Sequence, residues 1–116
     1  MATVADRSLT DEIVRVARLG HLTPEHLAAA TGGDPSSARR WLRAGRTPSG
    51  THARRALELS ALVERLVTVM DPTYVPVWLL KPIERLDDRR PVDAIQEGDF
   101  RDVSRLVAAL EGMPVS

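Results

Sequence analysis

Apolar residues recur along this chain at intervals of three and four, and nowhere do they alternate with polar ones for long enough to suggest a half-buried strand. The pattern predicts an all-α chain. A first helix is expected from about Leu9 to Arg18, with Asp11 and Glu12 near its positive end and Gly20 after it. Thr23-Pro24-Glu25 reads as a cap, a first-position proline and a first-turn acid, opening a short helix that stops at Gly32-Gly33. Asp34-Pro35 repeats that start signal for a third helix reaching Ala44, with Gly45 behind it. On this third helix Ala38, Trp41, Leu42 and Gly45 form the inward stripe, whereas Ser36, Arg40 and Arg43 lie opposite with Arg39 on the shoulder. After the loop Thr47-Pro48-Ser49-Gly50, a long helix is expected from about Thr51 to Met70. Its stripe is Ala56, Leu59, Val63, Leu66, Val67 and Met70, and Leu62 and Val69 widen the apolar arc. Such an arc suits a helix sandwiched between the two halves of the chain, a homodimer surface, or both.

The remainder predicts a short helix over Thr73 to Leu80 bearing Trp78, and an irregular charged stretch from Lys81 to Arg90. A further short helix opens at Pro91 and ends at Gly98, and a last helix is capped by Asp99. The last helix carries Phe100, Val103, Leu106, Val107 and Leu110, and Met113-Pro114-Val115-Ser116 follows as a tail. The expected organisation is residues 1–50 as a helix-turn-helix region, 51–70 as a connecting or dimerisation helix, and 71–116 as a third region. Trp78 on so short a helix reads first as a core residue, and Pro91 and Gly98 as ordinary helix punctuation.

The 116 residues are enough for one compact domain or two small helical modules sharing a core. The absence of cysteine excludes disulfides and thiolate metal sites. Met1 to Ser8 lacks a basic flank followed by an apolar stretch, and the longest apolar run, Val75 to Leu80, contains Pro76 and is too short to span a bilayer. A cytoplasmic protein without membrane contact is expected.

Sixteen basic and sixteen acidic residues cancel, but not locally. Residues 1–34 carry net −2, residues 35–60 net +5 with six Arg and one acid, and residues 61–116 net −3. A basic middle between acidic ends matters more for partners than the neutral total. Fifteen of the sixteen bases are Arg. Arg can bond guanine O6 and N7 through two parallel hydrogen bonds, and Arg at phosphates releases counterions. A helix, a glycine-containing turn and a second helix with exposed Arg is the helix-turn-helix arrangement, whose second helix enters the major groove.

Thr23-Pro24-Glu25-His26-Leu27-Ala28, Gly33-Asp34-Pro35-Ser36-Ser37-Ala38-Arg39-Arg40-Trp41 and Gly45-Arg46-Thr47-Pro48-Ser49 resemble the Xre-type, repressor-like helix-turn-helix. The likeness spans about residues 9–50 and implies that Ser36, Ser37, Arg39, Arg40, Arg43 and Arg46 face DNA. The second half is the sharper clue. Val77-Trp78-Leu79-Leu80-x-Pro82, then Arg90-Pro91-Val92-Asp93-Ala94-Ile95-x-x-Gly98-Asp99, then Val103 and Leu106-Val107-x-x-Leu110 resemble the toxin-binding domain of the Xre/MbcA/ParS antitoxin family. Two departures stand out: Ile83 where many members have Asn, and Leu86-Asp87-Asp88-Arg89 without the frequent Gly.

This second resemblance, over about residues 55–116, implies a cognate RES-domain toxin that degrades NAD⁺ and is encoded beside the antitoxin. It implies a toxin-binding set of Trp78, Leu79, Pro82, Pro91 and Leu110, with Met113, Pro114, Val115 and Ser116 covering the toxin's NAD site. Operator DNA is the second implied partner, bound by a homodimer or by a larger assembly with the toxin. Two other functions fit part of the pattern: a stand-alone repressor, and an adaptor whose helix-turn-helix no longer meets DNA. An enzyme is not expected. His21, His26 and His52 fall in different elements, no helical metal pair or phosphate loop is present, and no cofactor is implied.

Overall fold

The computed structural model describes residues 4–43 and 45–112, and in them the expectation of an all-α fold holds. Seven α-helices follow one another among the described residues: α1 (Val4–Leu19), α2 (Pro24–Thr31), α3 (Pro35–Leu42), α4 (Gly50–Leu66), α5 (Val75–Leu79), α6 (Pro91–Gln96) and α7 (Phe100–Glu111). Single 3₁₀ turns at Pro72–Tyr74 and Glu84–Leu86 precede α5 and α6.

The local signals behave as their chemistry requires. Thr23 Oγ1 accepts from the backbone N–H of His26 at 3.3 Å, and His26 Nδ1 accepts from the Thr23 N–H at 2.9 Å, a reciprocal capping box. Asp34 Oδ1 accepts from the Ser37 N–H at 2.7 Å, and a proline fills the first position of both helices. Between them Gly32 closes α2 at φ +83°, a left-handed conformation that glycine adopts without cost. Thus α2 and α3 are joined by only three residues, Gly32, Gly33 and Asp34.

Helix ends differ from expectation where tertiary context decides. The first helix begins at Val4 rather than near Leu9, and α4 ends at Leu66 rather than Met70. Pro72 forces Asp71 into an extended conformation (ψ 131°), so the chain leaves helical geometry in the residues before it. The stretch from Lys81 to Arg90 is not irregular. Ile83 and Arg89 form an isolated antiparallel bridge, with the Ile83 N–H donating to the Arg89 carbonyl at 3.1 Å, and Leu86 is buried beneath it. Asp87 and Asp88 make the reversal at φ 59° and 63°. Aspartate is among the few residues that tolerate this region, so the backbone keeps a glycine-like turn without glycine.

One continuous core runs through the chain, with α4 at its centre. Leu59, Leu62, Val63 and Leu66 of α4 are fully buried between α1 and α2 on one side and α6 and α7 on the other. The sandwich predicted for this helix is therefore observed, and Leu62 faces the core. Gly20 lies where α1 meets α4: a Cβ there would stand 2.8 Å from Val63 Cγ1, so any larger residue would force the helices apart.

Helix direction follows from the cross-links. Ser60 donates to Glu12, and Arg15 pairs with Glu64, so α1 and α4 advance together. Arg55 reaches the Gln96 carbonyl (3.5 Å) and Arg65 bonds Ser104 and Glu111, so α7 also runs parallel to α4. The carboxyl ends of α1, α4 and α7 thus gather at one end of the molecule. At the other lie the start of α4 and α3, whose Trp41 ring sits 6.2 Å from His52.

Candidate functional site

The amino end of α4 carries the basic segment, and α3 presents it. Ala38 and Trp41 are buried, which turns Ser36, Arg39, Arg40 and Arg43 outward, as the helical spacing requires. Arg46, in the loop that follows, is exposed as well. Ser37 is half-buried, and its backbone N–H is spent on the Asp34 cap. That bond, the Ser37 hydroxyl and then the nearby Arg40 charge hold the Asp34 carboxyl below its usual range. Of the arginines, Arg39 alone has an internal partner: its Nη2 lies 3.4 Å from Glu25 on α2, and both groups are largely solvated. Among the described residues, Arg40, Arg43 and Arg46 make no ion pair. Neither does Arg54, an exposed residue near the start of α4 that the recognition-helix pattern does not include. The six expected DNA-facing residues therefore share one region of the surface, and Arg54 extends it onto the next helix.

The expected toxin-binding residues divide. Trp78, Leu79 and Pro91 are buried; with Val75 they make the inner side of α5 and the start of α6. A five-residue helix laid on a core has no spare face for so large an indole, so these three shape the surface from beneath. Pro82 is exposed, Leu110 is half-buried, and Met113, Pro114, Val115 and Ser116 lie outside the described residues. The large apolar side chains that do reach solvent in this half are Val69, Tyr74 and Val77, the last 52 % exposed. Tyr74 and Val77 are three residues apart and point away from Val75 and Trp78. The five residues from Tyr74 to Trp78 hold two buried and two exposed large apolar side chains, and their spacing gives no clear sign of which face is which.

Charge in this half is largely absorbed internally. Arg65 donates to Ser104 Oγ (2.7 Å), to the Ser104 carbonyl (3.1 Å) and to Glu111 (2.7 Å). These bonds fix the end of α7 beside the end of α4 and hold the Glu111 carboxyl below its usual range. Arg89 bridges Glu97 (2.7 Å) and Asp99 (2.6 Å) while its Nε donates to the Leu86 carbonyl, closing the bridged turn onto the α6–α7 connection. Asp99 therefore does not cap α7 through its side chain as expected; its carboxylate is committed to Arg89. Arg90 pairs with Asp93 through both carboxylate oxygens, at 2.7 and 2.9 Å, and lowers that carboxyl's pKa.

The three histidines stay apart in space as in sequence. His26 serves the capping box, and burial lowers its pKa; His52 lies against Trp41. Among the described residues no three His, Asp or Glu side chains are grouped to hold a metal ion. No helix among them is long and apolar enough to cross a membrane.

No family model matches the chain. It is 28 % identical over 95 residues to the mycobacterial cidal antitoxin MbcA of Mycobacterium tuberculosis (strain H37Rv) and of Mycobacterium bovis, a match covering 82 % of this chain and 83 % of each relative. Its fold is similar to the crystal structure of the M. tuberculosis MbcT–MbcA toxin-antitoxin complex, with TM-score 0.79 and 25 % identity over 98 % of this chain and all of the matched chain. This chain is a homologue of MbcA. The likeness to MbcA extends through both halves described above: the α2–α3 pair with its exposed arginines, and the α5–α7 half with its internally paired ones.

Proposed function

We propose that this MbcA homologue is the antitoxin of a toxin-antitoxin pair, working in the cytoplasm, and that its target is a RES-domain toxin that degrades NAD⁺. The observation that carries the first part is the extent of the match, which takes in nearly the whole of this chain and of the matched antitoxin chain. The toxin class rests on the resemblance of residues 77–110 to the toxin-binding domain of the Xre/MbcA/ParS family. In this reading the α5–α7 half is the toxin-binding region. Pro82 and Leu110 contact the toxin along with the exposed Tyr74 and Val77, while Trp78, Leu79 and Pro91 hold that surface in shape from below.

Residues 113–116 follow α7, whose end is clamped by Arg65, and they cover the toxin's NAD site. The segment is small and mostly apolar, and Pro114 restricts its unbound conformations. The Ser116 hydroxyl meets the cationic groups that otherwise hold NAD phosphates. Deleting residues 112–116 tests this: the truncated chain should still fold and bind the toxin but lose inhibition of NAD⁺ breakdown. Full inhibition by the truncated chain would remove the tail from the mechanism.

The second activity is binding to the operator of the pair's own genes through a helix-turn-helix formed by α2 and α3. Ser36, Ser37, Arg39, Arg40, Arg43 and Arg46 make the contacts, α3 lying in the major groove as the Xre-type resemblance implies. The support is physical: three of these arginines have no ion-pair partner among the described residues, so no internal bond is broken when they meet phosphates. A mobility-shift assay on the upstream region tests it, with a steep loss of affinity as salt is raised. Binding that is absent at low salt would leave an adaptor that only binds the toxin.

A further inference from the structure

We propose that Arg65 of α4 is a positioning residue for inhibition: it fixes the last turn of α7, and with it the point and direction from which residues 113–116 set out. The proposal rests on the reading above, in which those residues cover the toxin's NAD site, and adds the device that aims them. Its consequence is that holding the toxin and silencing it are separable. Without Arg65 the chain should still hold its partner yet leave it partly active.

Burial secures α7 only as far as Val107. Val103 and Val107 are fully buried, the next residue of that stripe, Leu110, is half-buried, and Ala108, Ala109 and Gly112 are exposed. Nor does the backbone stop the helix firmly: Gly112 sits at φ −94°, without the left-handed turn by which Gly32 ends α2. Glu111 faces the negative end of the α7 dipole, and α7 has no basic residue in its last turn. Arg65, in the last turn of α4, supplies the missing cation from the neighbouring helix. Its Nη1 and Nη2 donate to the Ser104 Oγ and carbonyl at 2.7 and 3.1 Å, and its Nε and Nη2 donate to Glu111 Oε1 at 3.1 and 2.7 Å. A planar fork bonded at both ends holds α7 from Ser104 to Glu111 against fraying, where burial no longer does.

Once the complex has formed, covering the NAD site is an intramolecular step, governed by the effective concentration of residues 113–116 at that site. A frayed last turn spreads their starting point and lowers that concentration, and adding more antitoxin does not restore it. Affinity is carried elsewhere. Tyr74, Val77 and Pro82 precede α6, and among the described residues the Arg65 side chain bonds α7 alone. Of the toxin contacts named above, only Leu110 lies in the turn that Arg65 holds. Arg65 is not itself one of these contacts; it acts through the helix it fastens.

Two quantities test this with the full chain and the purified product of the adjacent gene: the dissociation constant, and the NAD⁺ breakdown that persists at saturating antitoxin. Melting curves fix a temperature at which every variant is folded. The natural chain should leave almost no turnover, and the chain lacking residues 112–116 should leave the toxin active. Arg65→Ala should keep affinity within about threefold yet leave about a tenth or more of the free toxin's rate, rising with NAD⁺ because nucleotide and residues 113–116 compete. Arg65→Lys, which keeps the charge but not the fork, should fall between. If Arg65→Ala does not fold, Glu111→Ala at the exposed helix end breaks the same clamp and carries the same expectation. Added to the deletion, Arg65→Ala should change neither quantity. Full silencing by the clamp variants, beside a deletion that fails to silence, would overturn the proposal alone. A larger affinity loss, equal with and without residues 112–116, would do the same, since it marks a merely structural role. Full silencing by the deletion would overturn the reading above and the proposal with it.

Discussion

The arginines at the two ends of this molecule are used in opposite ways. Those of α3 and its exit loop are held up by a buried Trp41 and, Arg39 apart, are left without internal partners: Arg40, Arg43 and Arg46 make no ion pair among the described residues. Those of the second half, Arg65, Arg89 and Arg90, are fastened to Ser104, Glu111, Glu97, Asp99 and Asp93, and through these bonds they position α6 and α7. One set is uncompensated charge; the other is mechanical, each guanidinium tied to an acid of its own half. The lesson concerns net charge. Internal pairing leaves net charge unchanged, so the −3 of residues 61–116 sits on exposed acids with no ion pair among the described residues, such as Glu84, Asp87 and Asp88, while the +5 of residues 35–60 sits mainly on its unpaired arginines.

That contrast breaks most visibly if the free set is removed. Arg40→Ala together with Arg43→Ala should lower operator affinity by tens of fold at about 0.15 M salt, and the log–log salt dependence should become shallower by roughly two. The melting temperature should not move, because neither guanidinium is bonded among the described residues. Arg65→Ala is the converse. It removes bonds to Ser104 and Glu111 in a half-buried setting and should cost about 1–2 kcal/mol of stability by chemical denaturation. Below its midpoint the variant should keep full DNA affinity. Arg39 is the intermediate case: its pair with Glu25 is solvated, so Arg39→Ala should shift stability by less than about 0.5 kcal/mol while still weakening DNA binding severalfold.

How much of this was legible in the sequence depends on how far apart the cooperating residues lie. The caps of α2 and α3, the three-residue turn and the outward row of arginines are local features, and the residues that form them sit within four positions of each other. The paired arginines were not legible, since Arg65 finds Glu111 across 46 residues and no helical spacing links them. The burial of Trp78 was anticipated by the size of its helix, yet the exposed pair beside it, Tyr74 and Val77, was not separable from it by period alone. The missing glycine at Asp87-Asp88 is a departure from the family pattern, and the structure shows a left-handed turn made there by aspartates. The end of α4 was misplaced because Val67 and Met70 continue the apolar stripe after the helix itself has stopped before Pro72.

Smaller effects sharpen the same contrast at the foot of α2, where the support for α3 is held by a cap rather than by ion pairs. Thr23→Ala should cost about 1 kcal/mol. His26 accepts the Thr23 N–H only while Nδ1 is unprotonated, and burial lowers its pKa below the unfolded value of 6.5. Between those two values the unfolded chain binds more protons, so this contribution is complete above about pH 6.5 and is lost as pH falls through the lowered folded value. The melting temperature should therefore drop between pH 7 and pH 5 by more in the natural chain than in His26→Gln. Glutamine at this position can still complete a capping box and carries no titrating proton. Equal drops in the two chains would assign the effect to other groups.

The central claim is that this chain restrains a toxic partner through its α5–α7 half and the residues beyond it. The most direct measurement is co-expression with the product of the adjacent gene, reading growth, intracellular NAD⁺ and co-purification together. The account expects growth arrest and NAD⁺ loss from the adjacent product alone, and rescue of both with a stable complex when this chain is present. An adjacent product that is harmless by itself, or one whose toxicity persists with no complex formed, would contradict it.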